Sequence, residues 1–163
     1  MKDLAKHPYA VLSLVSITVT AIMTSVHHIY RLGLEVAIPA TIITVLPALL
    51  MYWYANKRSQ AALWIYGVLN ILVITWFGFI DGFLDHVVKA LGLQNITFLP
   101  GGEAEIVETV YSLWSPEAGN LFYEGTGILS FIASVFALYY GIQFVRTHIS
   151  RRARMAEVTT ALG

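Results

Sequence analysis

Residues Tyr9–Tyr30 read YAVLSLVSITVTAIMTSVHHIY, and no Asp, Glu, Lys or Arg interrupts them. Crossing about 30 Å of hydrocarbon takes roughly 20 apolar residues. In lipid the backbone polar groups have to be bonded within the segment, so a stretch of this kind is a helix. Its apolar length exceeds a typical signal-peptide core, and no clear small-x-small cleavage pattern precedes the turn at Arg31–Glu35. The expectation is therefore a retained membrane span.

Three more stretches repeat the pattern. They run from about Val36 to Ala55, from about Ala61 to Leu84 (uncharged until Asp81), and from about Leu121 to Val145 (uncharged after Glu124). Pro39 and Pro47 lie in the second, where each removes a backbone donor and can kink the helix. The composition agrees. The chain of 163 residues is 57% hydrophobic and 12% charged, with mean hydropathy +0.67, against about 45–50% apolar and about 25% charged for a soluble domain. Those figures exclude a cytosolic globule and a disordered chain. The formal net charge of +0 lacks the basic excess of a nucleic-acid binder. With no cysteine, disulfides, thiolate metal sites, iron–sulfur clusters and a Cys nucleophile drop out.

The fold expected is all-α: one integral membrane four-helix bundle. Lys and Arg in short loops set orientation. Lys2, Lys6, Lys57, Arg58, Arg146, Arg151, Arg152 and Arg154 share one side, and only Arg31 and Lys89 fall on the other. This predicts a cell-membrane protein with both termini cytoplasmic and a basic tail over 146–163. Glu35, Asp81, Asp85, Glu103, Glu105, Glu108, Glu117 and Glu124 then lie at or beyond the outer boundary, which would attract cations. The first two spans form a tight hairpin. The outer loop, 87–119, is long enough to need structure of its own. Within it Ile106, Val107, Val110, Leu113 and Trp114 alternate with Glu103, Glu105 and Glu108, which predicts a short amphipathic helix over Ala104–Trp114. Pro100-Gly101-Gly102 reads as a turn before it, and Asn95-Ile96-Thr97 fits a glycosylation sequon.

Polar residues form stripes on the spans: Ser13, Ser16, Thr20, Thr24 and His28 on the first; Asn70, Phe77, Asp81 and Asp85 on the third; Gly127, Ser130, Ser134, Ala137 and Gly141 on the fourth. Small and hydroxyl residues let membrane helices approach closely, so most of these read as packing. Asn70 is expected to bond a neighbouring helix, and His7 and His148 to be solvated. The outer ends read differently. His27 and His28 close span one, Asp81, Asp85 and His86 close span three, and Glu124 opens span four. Alternating topology brings these ends to one level. An Asp within the bilayer costs about 2.5–3.5 kcal/mol at its centre, so Asp81, the deeper carboxylate, needs a partner, water or a proton.

Imidazole and carboxylate together suit zinc, copper or iron. Bundles build such sites from inward-facing His, Asp and Glu, with a carboxylate such as Asp81 or Asp85 orienting the far imidazole nitrogen. Neighbours on an α-helix point about 100° apart, so His27 and His28, like Asp85 and His86, are not both expected to face inward. Tyr111 and Tyr123 are near enough to line a pocket. The reading is a transition-metal or other cation site of His27, His28, Asp81, Asp85, His86 and Glu124. The alternatives are a non-catalytic subunit of a larger membrane complex and a bis-histidine haem carrier using His86 with His27 or His28. The implied partners are the lipid bilayer and other membrane subunits or further copies of the chain, with no nucleic acid.

Overall fold

Helix α1 spans Pro8–Leu32. Proline suits the first helical position, where its missing N–H is no loss. The helix stops at Gly33, whose φ of +98° an L side chain rarely adopts, and the Gly33 amide bonds the Ile29 carbonyl. A short 3₁₀ turn, Leu34–Val36, leads into α2, Ala37–Lys57. Pro39 falls in its first turn, where amides have no intrahelical acceptor, so it costs no bond. Pro47 lies inside the helix and does remove one. Arg58 in the left-handed region ends α2, and the Ser59 hydroxyl caps α3 by accepting from the Ala62 amide at 3.3 Å. Helix α3 runs Gln60–Ala90. Helix α4 runs Pro116–Leu162, with the Ser115 hydroxyl accepting from the Ala118 amide at its start. This computed structural model describes residues 7–93 and 105–162.

The architecture is all-helical, with no strand among the described residues. Four segments are long and apolar enough to cross a membrane: Pro8–Leu32, Leu34–Lys57, Gln60–Ala90 and Pro116–Ser150. Helix α1 packs chiefly on α4, and α4 on the second half of α3; α2 lies to one side against α1 and α3. Large apolar side chains such as Ile38, Trp64, Ile71 and Val135 face outward, as a lipid-facing surface requires. Toward the chain-terminal end the core is apolar: Ala10, Ile17, Leu50, Met51, Tyr66, Ala137 and Phe144. Toward the Arg31 end it turns polar, with Thr20, Thr24, His27, Asp81, Asp85, His86 and Ser130 buried.

Hydroxyls stitch the interior. The Thr24 and Ser130 side chains bond across α1 and α4 at 2.7 Å, and those of Ser13 and Tyr66 across α1 and α3 at 2.9 Å. Ser130→Ala leaves the Thr24 hydroxyl short of its cross-helix partner. The expected cost is about 0.6 kcal/mol, with about 1.7 as the upper end for such bonds in membranes, measurable by reversible unfolding in detergent.

Several sequence expectations change. Asn70 does not reach a neighbouring helix: its amide donates to the Tyr66 carbonyl one turn back on α3, at 2.8 Å. His148 is half-buried, and its Nδ1 lies 3.0 Å from the Tyr54 hydroxyl of α2. The outer-loop helix is not formed over residues 105–114, which are bends and irregular chain. Tertiary bonds take the backbone groups a helix would need. The Val107 amide donates to Asn120 Oδ1, Asn120 Nδ2 donates to the Glu105 carbonyl, and the Val110 amide donates to the Arg31 carbonyl. Val107 is buried as a result. The sequon at Asn95–Thr97, the Pro100-Gly101-Gly102 turn, Glu103 and Ala104 lie outside the described residues.

Candidate metal centre

Three ends meet at the polar end of the bundle. On α1, the midline between Thr20 and Thr24 points into the bundle. At about 100° per residue, His27 falls about 40° to one side of that line and His28 about 60° to the other. Neither needs to point straight inward, because they flank what lies opposite. That is Asp81: His27 Nε2 is 3.1 Å from Asp81 Oδ2, and His28 Nε2 is 3.8 Å from Asp81 Oδ1. The two rings stack with centroids 4.4 Å apart. The buried stripe of α1 thus runs through His27, which is fully buried, with His28 half-exposed at its flank.

Helix α3 delivers Asp81, Asp85 and His86 together, for a reason the sequence did not disclose. Over Ile74–Val87 it is wound as a π-helix, and the Val88 amide bonds the Phe83 carbonyl, five residues back. Such winding is usually confined to a single-turn bulge and is frequent at functional sites. In an α-helix a step of four overshoots the starting face by about 40°, and a step of five lands about 140° away. The wider winding holds more residues per turn, so positions four and five apart stay on one face. Gly78, Gly82 and His86 follow one another at four-residue steps, beside Asp81 and Asp85, and all five are buried. Asp81, Asp85 and His86 are 3%, 1% and 1% exposed. Asp85 and His86 therefore both face inward, contrary to the α-helical expectation.

Helix α4 makes room and supplies support. A Cβ on Gly127 would overlap the His86 ring, and one on Gly82 would press on the backbone of Phe131 and Gly127. Glycine at these positions lets α3 and α4 close around His86. Glu124 does not join the inner cluster. Its Oε2 lies 2.8 Å from His86 Nδ1 and its Oε1 2.6 Å from Lys89 Nζ. The carboxylate accepts from both, so His86 has a proton on Nδ1 and directs Nε2 inward, 4.0 Å from Asp81 Oδ1. His28 is fixed likewise: its Nδ1–H donates to the Thr24 carbonyl at 2.9 Å, leaving Nε2 toward Asp81. The orienting partners are thus Glu124 and a backbone carbonyl, not Asp81 or Asp85 as the sequence suggested.

At the centre the hydrogen bonding is incomplete. His27 Nδ1 and Nε2, His86 Nε2 and Asp81 Oδ2 are buried without a hydrogen-bond partner among the described residues. The 3.1 Å between His27 Nε2 and Asp81 Oδ2 is short enough for a bond but out of line for one. An unmatched buried polar atom costs about 1–3 kcal/mol. His27, His28 and Asp81 form one group able to hold a cation, and Asp81, Asp85 and His86 another; the donor atoms in each lie within 4.8 Å of one another.

Sequence reasoning undervalued Tyr123. It is 2% exposed and sets its ring edge-on to His27 and His86 at 5.2 and 4.9 Å, while its hydroxyl accepts from Arg31 at 2.7 Å. The signal was there: at 3.6 residues per turn Tyr123 shares a face with Gly127 and Ser130. Tyr111 has no contact of this kind with the cluster among those described. Removing the carboxylate charge beneath His86 tests the supporting role of Glu124. If the cluster is a cation site, Glu124→Gln weakens binding by about 10–100-fold, as loss of an orienting partner does at metal sites, with the helical circular dichroism unchanged.

The fold and the cluster define the class: a helical protein with four segments fit to span a membrane and a buried His/Asp cluster at one end of the bundle. No protein family, curated protein or solved structure matches the chain.

Proposed function

We propose that this chain is a multi-pass membrane protein that binds a transition-metal cation at His27, His28, Asp81, Asp85 and His86, with Glu124 supporting His86. The observation that carries the reading is the set of buried atoms that face one another unbonded: His27 Nε2, His86 Nε2 and Asp81 Oδ2. A cation between these atoms would give the unprotonated imidazole nitrogens and the carboxylate oxygen the partner that each lacks. Among the described residues the ion-pair partners of Asp81 are imidazoles alone, so no lysine or arginine already neutralises it. Nitrogen and oxygen donors without sulfur favour zinc, copper(II) or iron over softer ions. The excess of Lys and Arg at the opposite end supports placing the site on the outer side of the cell membrane, both termini cytoplasmic.

Haem fits these residues less well. A macrocycle would have to stand between two axial imidazoles, whereas Tyr123 packs edge-on against both His27 and His86, whose own centroids are 5.2 Å apart. The test is elemental analysis of untagged full-length protein purified in detergent without chelator, followed by calorimetric titration with zinc. The expected result is metal in stoichiometric amounts or saturable zinc uptake. Metal at the level of the buffer, together with no zinc uptake, overturns the proposal.

A further inference from the structure

We infer that a groove between the first half of α3 and the far half of α4 seats an acyl chain of an anionic phospholipid, with the phosphate at Arg146; this rests on the membrane placement of the helices and not on the metal-binding reading. The two helices close tightly around Gly78, Gly82 and Gly127. Toward the chain-terminal end they part, and a groove of about 810 Å³ opens between them. Leu63, Gly67 and Ile71 of α3 and Ala137, Gly141 and Val145 of α4 line it, and its wall is almost wholly apolar. A Cβ on Gly67 would meet nothing within 4 Å, and one on Gly141 would only touch the Ser13 hydroxyl at 3.8 Å. The hollow therefore lies where side chains are missing.

The length and polarity of the groove match a lipid. Its α3 wall runs from Gln60 to Ile74, about 21 Å at 1.5 Å per residue. One leaflet's share of the hydrocarbon is about 15 Å, so a chain entering at the interface is followed along its length. Gln60 and Arg146 line the end nearer the chain termini, and Ile74 and Ala137 line the other. Arg146 is the one charged residue among those lining the groove. It is exposed, and no ion pair among the described residues engages it. An arginine stem can lie along apolar surface while its guanidinium stays at the headgroup level, where its N–H fork suits a phosphate. Basic pockets between membrane helices hold anionic headgroups in this way. A helix of a second copy, about 10 Å across, would need about 1,600 Å³ over the same length, twice what the groove holds. Water is a poor filler, since apolar hollows stay dry.

The experiment is native mass spectrometry of the full chain in detergent, titrated with phosphatidylglycerol and, separately, with phosphatidylcholine of the same acyl chains. Wild type is expected to bind phosphatidylglycerol about five-fold more tightly than phosphatidylcholine, the worth of one basic side chain at an anionic headgroup. Arg146→Gln is expected to bind the two equally. Gly67→Leu, whose added side chain enters open space, is expected to retain neither lipid, with the helical circular dichroism unchanged. Equal binding of the two lipids by wild type, or none, overturns the headgroup assignment. Undiminished phosphatidylglycerol binding in Gly67→Leu overturns the groove as the seat. A lipid-free dimer that Gly67→Leu abolishes makes the occupant a second copy and overturns the proposal. The wild-type comparison of the two lipids decides the headgroup even should a variant not fold.

Discussion

On the proposed metal-binding reading, Asp81→Asn abolishes the rise in thermal stability that zinc is expected to give the wild type. A ligand that binds only the folded state adds about 2.7 kcal/mol at a concentration 100 times its Kd, so saturating zinc is expected to raise the wild-type melting temperature by several degrees. Asn keeps the shape of Asp and loses the charge that faces His27, His28 and His86. The fall in zinc affinity should exceed the roughly 10–100-fold that follows loss of an orienting partner, because Asp81 belongs to both ligand triads. A full zinc shift in Asp81→Asn, measured by melting monitored through circular dichroism, would remove Asp81 from the site.

Gly127→Ala is expected to disturb the centre from outside the ligand set. The added methyl lands on the His86 ring, so either His86 leaves its bond to Glu124 or α4 backs away from α3. Overpacking of this kind costs about 1–3 kcal/mol, and zinc affinity should fall at least as far as in Glu124→Gln. Gly125→Ala is the matched control. The chemical change is the same, two residues away, and a Cβ there meets nothing within 4 Å. Melting temperature and zinc affinity of the two variants, side by side, separate displacement of His86 from any general effect of alanine on α4. Equal behaviour would show that His86 does not depend on that space.

The sequence was most legible where lipid dictates the answer. Runs such as Tyr9–Tyr30 and Val36–Ala55 have few ways to satisfy their backbone in hydrocarbon, and the helices found there begin and end at signals visible in the text: Pro8, Gly33, Ser59 and Ser115-Pro116. The six candidate residues were also legible as a set, because alternating topology brings the ends of three spans to one level. Their roles were not. Asp85 and His86 look incompatible at 3.6 residues per turn, and nothing in ITWFGFIDGFLDHV announces the wider winding; its glycines 78 and 82 mark only where α4 comes close. Glu124 was counted as a ligand when its two oxygens go to His86 and Lys89. The loop periodicity over Ala104–Trp114 misled because Asn120 and Arg31, distant in sequence, capture its backbone over the described part.

The central claim is that the unbonded donors around Asp81 are a cation site, and locating a bound ion tests it most directly. Crystals of the zinc-soaked full chain, with anomalous data collected either side of the zinc edge, would give the position without reference to any variant. The account predicts density between α1 and α3, about 2.0–2.2 Å from Asp81 and from imidazole nitrogens of His27, His28 or His86. Density confined to other parts of the surface, or none at this end of a well-ordered bundle, would contradict it.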